Sequence, residues 1–193
     1  MQAARLSASN IACRRGDRLL FTGLGFALGP GEALQLAGAN GIGKSSLLRI
    51  LAGLARPYAG SVEREGVVGM VDERLALDEH LPLGKALAFW SALDGEDEGE
   101  RAAELGLSDL LDVPVRYLST GQRKRAALAR LLGQQAAIWL LDEPLNGLDS
   151  SAAHLLTRLT AQHCASGGIA VVASHQTFAL AGMQQLPLRD FVA

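Results

Sequence analysis

The sequence predicts an α/β fold with a mainly parallel core sheet, an antiparallel β edge and a small inserted helical lobe. Three observations carry this reading. An apolar run, Ala33-Leu34-Gln35-Leu36-Ala37, leads into Gly38-Ala39-Asn40-Gly41-Ile42-Gly43-Lys44-Ser45 and then into Ser46-Leu47-Leu48-Arg49-Ile50-Leu51, which has its apolar residues on one helix face. Five apolar residues, Ala137-Ile138-Trp139-Leu140-Leu141, run straight into Asp142-Glu143-Pro144, as expected of a strand buried on both faces in a parallel sheet. Residues 4–36 alternate β-type runs with turn signals, whereas 83–113 read as helix.

In chain order, strands are expected over 5–13 and 19–28, with a turn at Arg15-Gly16-Asp17. A helix over 46–54 should end near Gly53 and Pro57. Gly60-Ser61-Val62 returns the chain to a strand, and 67–71 is a further apolar β-branched run for the core sheet. Helices are expected over 83–93 and 100–111. Between them, the acidic stretch 94–100 reads as a solvated loop rather than a docking site. Ser119 is a good N-cap for an amphipathic helix through about Leu132. Asn146-Gly147-Leu148-Asp149 is a turn into a helix capped by Asp149 or Ser150, running to about Cys164. After Gly167-Gly168, a strand over 169–173 ends at Ser174-His175. The whole, 1–193, reads as one domain, with 1–82 and 114–193 forming the core and 83–113 the lobe.

Composition narrows the classes. The chain has 193 residues, 49% apolar and only 5% aromatic, and its net charge of −2 gives no hint of a nucleic-acid surface. No window approaches the 18 or so apolar residues of a membrane span. The start, 1–10, lacks the basic-then-apolar layout of a secretion signal. Cys13 and Cys164 stand far apart, outside any metal-ligand spacing, and read as buried thiols in a reducing compartment.

The chemistry follows from the motifs. Residues 38–45 fit G-x-x-x-x-G-K-[ST] between a strand and a helix. Glycines there let the backbone curl around a phosphate chain, with N–H groups aimed inward at the positive end of the following helix. Lys44 reaches terminal phosphates and the Ser45 hydroxyl suits a magnesium ion. Asp142 and Glu143 sit at a strand's carboxyl end, where ligands bind in open α/β sheets. Neighbours on a strand point to opposite sides, so Asp142 suits the metal shell and Glu143 the polarising of a water. Of the four histidines, His175 alone ends a core strand; His80, His154 and His163 read as loop or helix-surface residues. Taken alone, Ser119-Thr120-Gly121-Gln122 is a capped helix start whose free N–H groups can face a phosphate.

Over essentially the whole chain, the order of these pieces resembles the nucleotide-binding subunit of ABC transporters. Residues 38–45 are similar to Walker A, and Leu118-Ser119-Thr120-Gly121-Gln122 to the signature motif. Ile138-Trp139-Leu140-Leu141-Asp142 with Glu143 resembles Walker B plus the catalytic glutamate. Leu148-Asp149 resembles the D-loop and His175 the switch histidine. The resemblance implies a P-loop NTPase fold of ABC type that binds ATP and Mg2+ and hydrolyses ATP. It implies catalytic roles for Glu143, His175 and Lys44, metal contacts from Ser45 and Asp142, and nucleotide contacts from Gly38, Ala39, Asn40, Gly41, Ile42, Gly43, Lys44, Ser45 and Ser46. Two copies would pair head to tail, so that Ser119, Gly121, Gln122 and Asp149 of one meet the nucleotide of the other. The pair would drive integral permease subunits from the cytoplasmic side of a bacterial inner membrane, as a peripheral protein.

Two departures stand out. The aromatic residue that usually stacks on adenine is missing from Cys13-Arg14-Arg15-Gly16-Asp17, where the Arg15 plane can take its place. No glutamine lies between Gln35 and Gln122, where the Q-loop belongs; Val71-Asp72-Glu73-Arg74 stands there, with Glu73 a candidate for the magnesium and Arg74 for the partner. Softer wording is similar to the ATPases of haem export in cytochrome c maturation: the 47–54 helix, Pro114-Val115, Phe89-Trp90 and Gly167-Gly168. That implies a link to haem-chaperone machinery. The alternatives are export of another small molecule or lipid, and a non-transport or regulatory nucleotide-binding module.

Overall fold

The computed structural model describes residues 4–72, 74, 76–94 and 98–192, with the side chains of 98–100 left aside. The chain opens on a hairpin, β1 (Arg5–Arg15) and β2 (Arg18–Leu28), paired antiparallel about Gly16-Asp17. β3 (Ala33–Ala37) leads through 38–43 into α1 (Lys44–Leu51). β4 (Ala59–Glu65) then returns to pair antiparallel with β1, giving a sheet of order β2-β1-β4. After β5 (Val68–Val71) come α2 (Leu83–Asp94), α3 (Glu98–Glu104) and α4 (Thr120–Gly133), and then β6 (Ile138–Asp142), α5 (Ser150–Ala165), β7 (Ile169–Ser174) and β8 (Gln184–Pro187). The second sheet, of order β5-β6-β7-β3-β8, is parallel throughout.

Strand periodicity divides the core in two. Ile138 and Leu140 of β6, with Ile169, Val171 and Ala173 of β7, face α1 and the antiparallel sheet. Trp139, Leu141 and Val172 face the other way, onto α4, α5 and the helices that precede them. Both faces are covered, which is why β6 and β7 read as unbroken apolar runs. Leu140→Ala should therefore cost about 2–5 kcal/mol, since the side chain is fully buried in an inner strand. The check is a lower denaturant midpoint at an unchanged m-value.

The structure departs from the expectations in four places. The helix expected over 100–111 instead spans Glu98–Glu104, followed by a short 3-10 turn at Ser108–Leu110. Gly106 adopts φ +64, so that Leu107 N–H reaches the Ala102 carbonyl and Gly106 N–H the Ala103 carbonyl, a glycine-dependent helix stop. β8 carries no strand signal in the sequence, because Gln-Gln-Leu-Pro is short, polar and proline-ended, as edge strands often are. His163 lies on α5 but is half-buried rather than free at the surface. Its ring stacks on Trp139 at 4.0 Å, its Nε2 lies 3.2 Å from the Ile169 carbonyl oxygen, and burial lowers its pKa. His80 and His154 are exposed, and both cysteines are buried, as read. Of the stretch expected as an acidic loop, Asp94 ends α2, Glu98 and Glu100 lie in α3, and 95–97 fall outside the described residues. Among the described residues, no helix is long and apolar enough to cross a membrane.

Candidate functional site

The parallel register brings the motifs to one edge. Ala37 pairs with Ser174, and Asp142 with Ala173, so the carboxyl ends of β3, β7 and β6 lie side by side. From them issue the loop 38–43, His175 and Glu143. Ligands gather at this edge of open α/β sheets because side chains from loops of several strands converge there.

The loop is shaped by what a side chain would disturb. Gly43 caps α1 with φ +118, and a Cβ on it would lie 2.9 Å from Phe21 Cε1, so the hairpin leaves no room for any other residue. Behind it, Lys44 is 5% exposed. Its ammonium donates to the Gly38 carbonyl at 2.8 Å and the Ala39 carbonyl at 3.3 Å, and lies 3.0 Å from Glu143 Oε1. The last contact is an ion pair without hydrogen-bond alignment, since Oε1 has no hydrogen-bond partner of good angle.

Glu143 leaves the strand at φ +43, a conformation non-glycine residues rarely adopt. Its N–H donates to the Ala173 carbonyl at 2.8 Å, and its other carboxylate oxygen lies 2.9 Å from His175 Nδ1. Burial pushes the Glu143 carboxyl up, but Lys44 and His175 outweigh it and hold the pKa below the ordinary value. Behind His175, buried Gln35 fastens the chain: its Nε2 donates to the Gln176 carbonyl at 2.7 Å, and its Oε1 accepts from Phe178 N–H at 3.3 Å.

Asp142 behaves differently. It is 5% exposed, and burial raises its pKa, joined by the charges of Glu143 and Asp72, while Ser45 and Lys124 pull it down. Its Oδ1 is buried without a hydrogen-bond partner. A buried orphan acceptor beside a serine hydroxyl fits a hard divalent cation. Among the described residues, no group of three His, Cys, Asp or Glu side chains holds a metal by itself.

A cavity of about 600 Å³ covers the loop, walled by Arg15, Arg18, Leu20, Lys44, Ser45 and Glu143. Lys44, Ser45, Glu143 and Arg15, anticipated from the sequence, thus line one space. Arg18 was missed, although the hairpin register sets it directly opposite Arg15. A second cavity of about 650 Å³ shares Glu143 and adds Asp72, Arg74 and Lys124. Glu73 lies outside the described residues. Asp72 is tied to Arg49 at 3.4 Å and accepts the Arg74 N–H at 2.8 Å.

Ser119, Gly121, Gln122 and Asp149 do not wall the loop's cavity. Ser119 and Gln122 form a capping box on α4: Ser119 Oγ accepts from Gln122 N–H, and Gln122 Oε1 accepts from Ser119 N–H at 2.8 Å. Asp149 caps α5 by accepting from Ala152 N–H at 2.8 Å, which with Ser151 lowers its pKa. Both helix starts are exposed at Ser119 and Asp149.

Comparison with known proteins agrees with this arrangement. Residues 21–146 match the family described as ABC transporter. The chain is 59% identical over 191 residues to the cytochrome c biogenesis ATP-binding export protein CcmA of Novosphingobium aromaticivorans, covering 99% of each chain. It is 55% identical to the protein of the same name from Zymomonas mobilis, covering 98% of this chain and 87% of that one. The solved ATP-binding subunit of an ABC transporter superposes with a TM-score of 0.79 at 22% identity, over 88% of this chain and 79% of that chain, which speaks to the fold alone. The chain belongs to the ABC transporter family, in the group of the CcmA ATP-binding export proteins.

Proposed function

We propose that the protein is the ATP-hydrolysing subunit of an ABC transporter serving cytochrome c biogenesis, in haem export or release of a haem-loaded chaperone. The observation that carries the ATPase reading is the contact of Glu143 with both Lys44 and His175 beside the buried orphan oxygen of Asp142. The process is carried by 59% identity over nearly the full length to a relative named for it.

In this reading, the loop N–H groups and Lys44 hold the phosphate chain of ATP, and Ser46 adds a contact from the first turn of α1. Ser45 and Asp142 would hold Mg2+, which neutralises developing charge on the phosphates. Glu143, ionised at neutral pH, orients and polarises the attacking water, and His175 fixes the carboxylate through Oε2. Lys44 is shared between loop carbonyls and Glu143, so a phosphate competes with the carboxylate for the ammonium. Substrate entry therefore frees Glu143 for water. Ser119, Gly121, Gln122 and Asp149 would meet the nucleotide of a second copy, and the pair would engage permease subunits on the cytoplasmic face of the inner membrane. The lobe at 83–113, inserted in the 1–82 and 114–193 core, would turn on that closure.

Co-purification from membranes tests the reading, run with the native chain and with Glu143→Gln. The expected result is capture of integral membrane subunits, and arrest of cytochrome c maturation by the variant. Capture without any effect on maturation would move the protein to another cargo. Capture of no membrane protein would remove it from transport.

A further inference from the structure

We propose that Lys124 is a positioning residue for Glu143: from α4 it grips the backbone that carries the acid, and so ties the helix start at Ser119 to the hydrolytic site. The proposal rests on the ATPase reading above.

Lys124 is 8% exposed, an unusual place for an ammonium group. Burying such a charge costs several kcal/mol unless donors and acceptors are matched around it. Its Nζ lies 3.4 Å from the Asp142 carbonyl oxygen and 3.3 Å from the Glu143 carbonyl oxygen. These two carbonyls lie where the ladder ends. Asp142 is the last residue of β6, and Glu143 turns away at φ +43. A left-handed glutamate costs on the order of 1–3 kcal/mol and persists only when its surroundings impose it. A cation on both flanking carbonyls is such an imposition.

A second contact fastens the same two pieces. A Cβ on Gly121, in the first turn of α4, would stand 2.5 Å from the Gly147 carbonyl oxygen. The helix start is thus seated on the turn that follows Glu143, with backbone against backbone. Gripped at 142–143 and at 147, the acid segment cannot shift relative to α4 without giving up one of these contacts. A carboxylate displaced by about 1 Å can lose on the order of 100-fold in rate, because orientation of the attacking group is most of what such a residue supplies.

The test compares Lys124→Met, which keeps the volume without the charge, and Lys124→Arg with the native chain in steady-state ATP hydrolysis. Glu143→Gln runs alongside. We expect Lys124→Met to lower kcat roughly 10- to 100-fold with KM for ATP within about twofold, and Lys124→Arg to recover most of the rate. A kcat for Lys124→Met within twofold of native overturns the proposal. So does a parallel loss of nucleotide binding, which marks a general structural role. Should Lys124→Met fail to fold, Lys124→Gln, which keeps an N–H donor without the charge, takes its place under the same criteria. If the native chain does not hydrolyse ATP, or Glu143→Gln hydrolyses it at the native rate, the ATPase reading falls instead, whatever Lys124 does.

Discussion

Glu143→Gln should lower ATP turnover by roughly 1,000-fold while ATP affinity holds or rises. The amide keeps the shape, so a hydrogen bond with His175 survives, but it cannot take up a proton or orient water as the carboxylate does. Affinity is expected to hold because Lys44, now 3.0 Å from Glu143 Oε1, would no longer be shared with an anion. Single-turnover hydrolysis and equilibrium binding, measured on one preparation, separate the two effects. Hydrolysis within tenfold of native would take the base role away from Glu143. The ion pair also carries a pH signature. Burial alone would raise this carboxyl, yet Lys44 and His175 bring it below its ordinary value. Its contribution to stability is therefore present above the unfolded pKa and fades as the pH falls through the folded one.

Lys44→Ala should weaken ATP binding at least 100-fold. Charge-assisted contacts to phosphate are worth about 1.5–3 kcal/mol each, and an ammonium has three donors, enough for more than one such contact. The substitution acts on the protein as well as on the ligand. It removes one of the two groups that hold the carboxyl of Glu143, 14% exposed, below its ordinary value, and it leaves the Gly38 and Ala39 carbonyls without their donor. A lower melting temperature is expected beside the lost affinity. Titration with ATP under conditions where the variant is shown to be folded keeps the two apart. Native-like affinity in the folded variant would mean that the loop backbone alone holds the phosphates.

Part of this site was legible because its chemistry is local. The loop 38–45 needs glycines, a lysine and a hydroxyl at set spacings, and the backbone imposes those spacings whatever the rest of the chain does. Ser119 with Gln122 is local in the same way, a capping box written in four residues. Lys124 was legible in principle. It shares a helix face with the buried Leu128 and Leu131, at i+4 and i+7, and a lysine on an apolar stripe asks for a buried partner. The partner, however, is the end of β6, 18 residues away, and no spacing rule connects the two.

Local pattern was enough for most of the elements and for the chemical inventory, though not for β8 or the end of α3. Unbroken apolar runs demanded a sheet covered on both sides, and a carboxylate pair at the end of one run marked the ligand edge. Convergence of the site came from long-range packing. Strand order β6-β7-β3 makes neighbours of Glu143, His175 and Lys44, residues far apart in the chain, and that order depends on long-range pairing. It also gave the two neighbouring acids different surroundings. Asp142 and Glu143 are adjacent in sequence, but the turn to φ +43 leaves Asp142 buried beside Ser45 and sets Glu143 between Lys44 and His175. Adjacent carboxylates have the same chemistry in the chain; only their surroundings, assembled by folding, make them different groups.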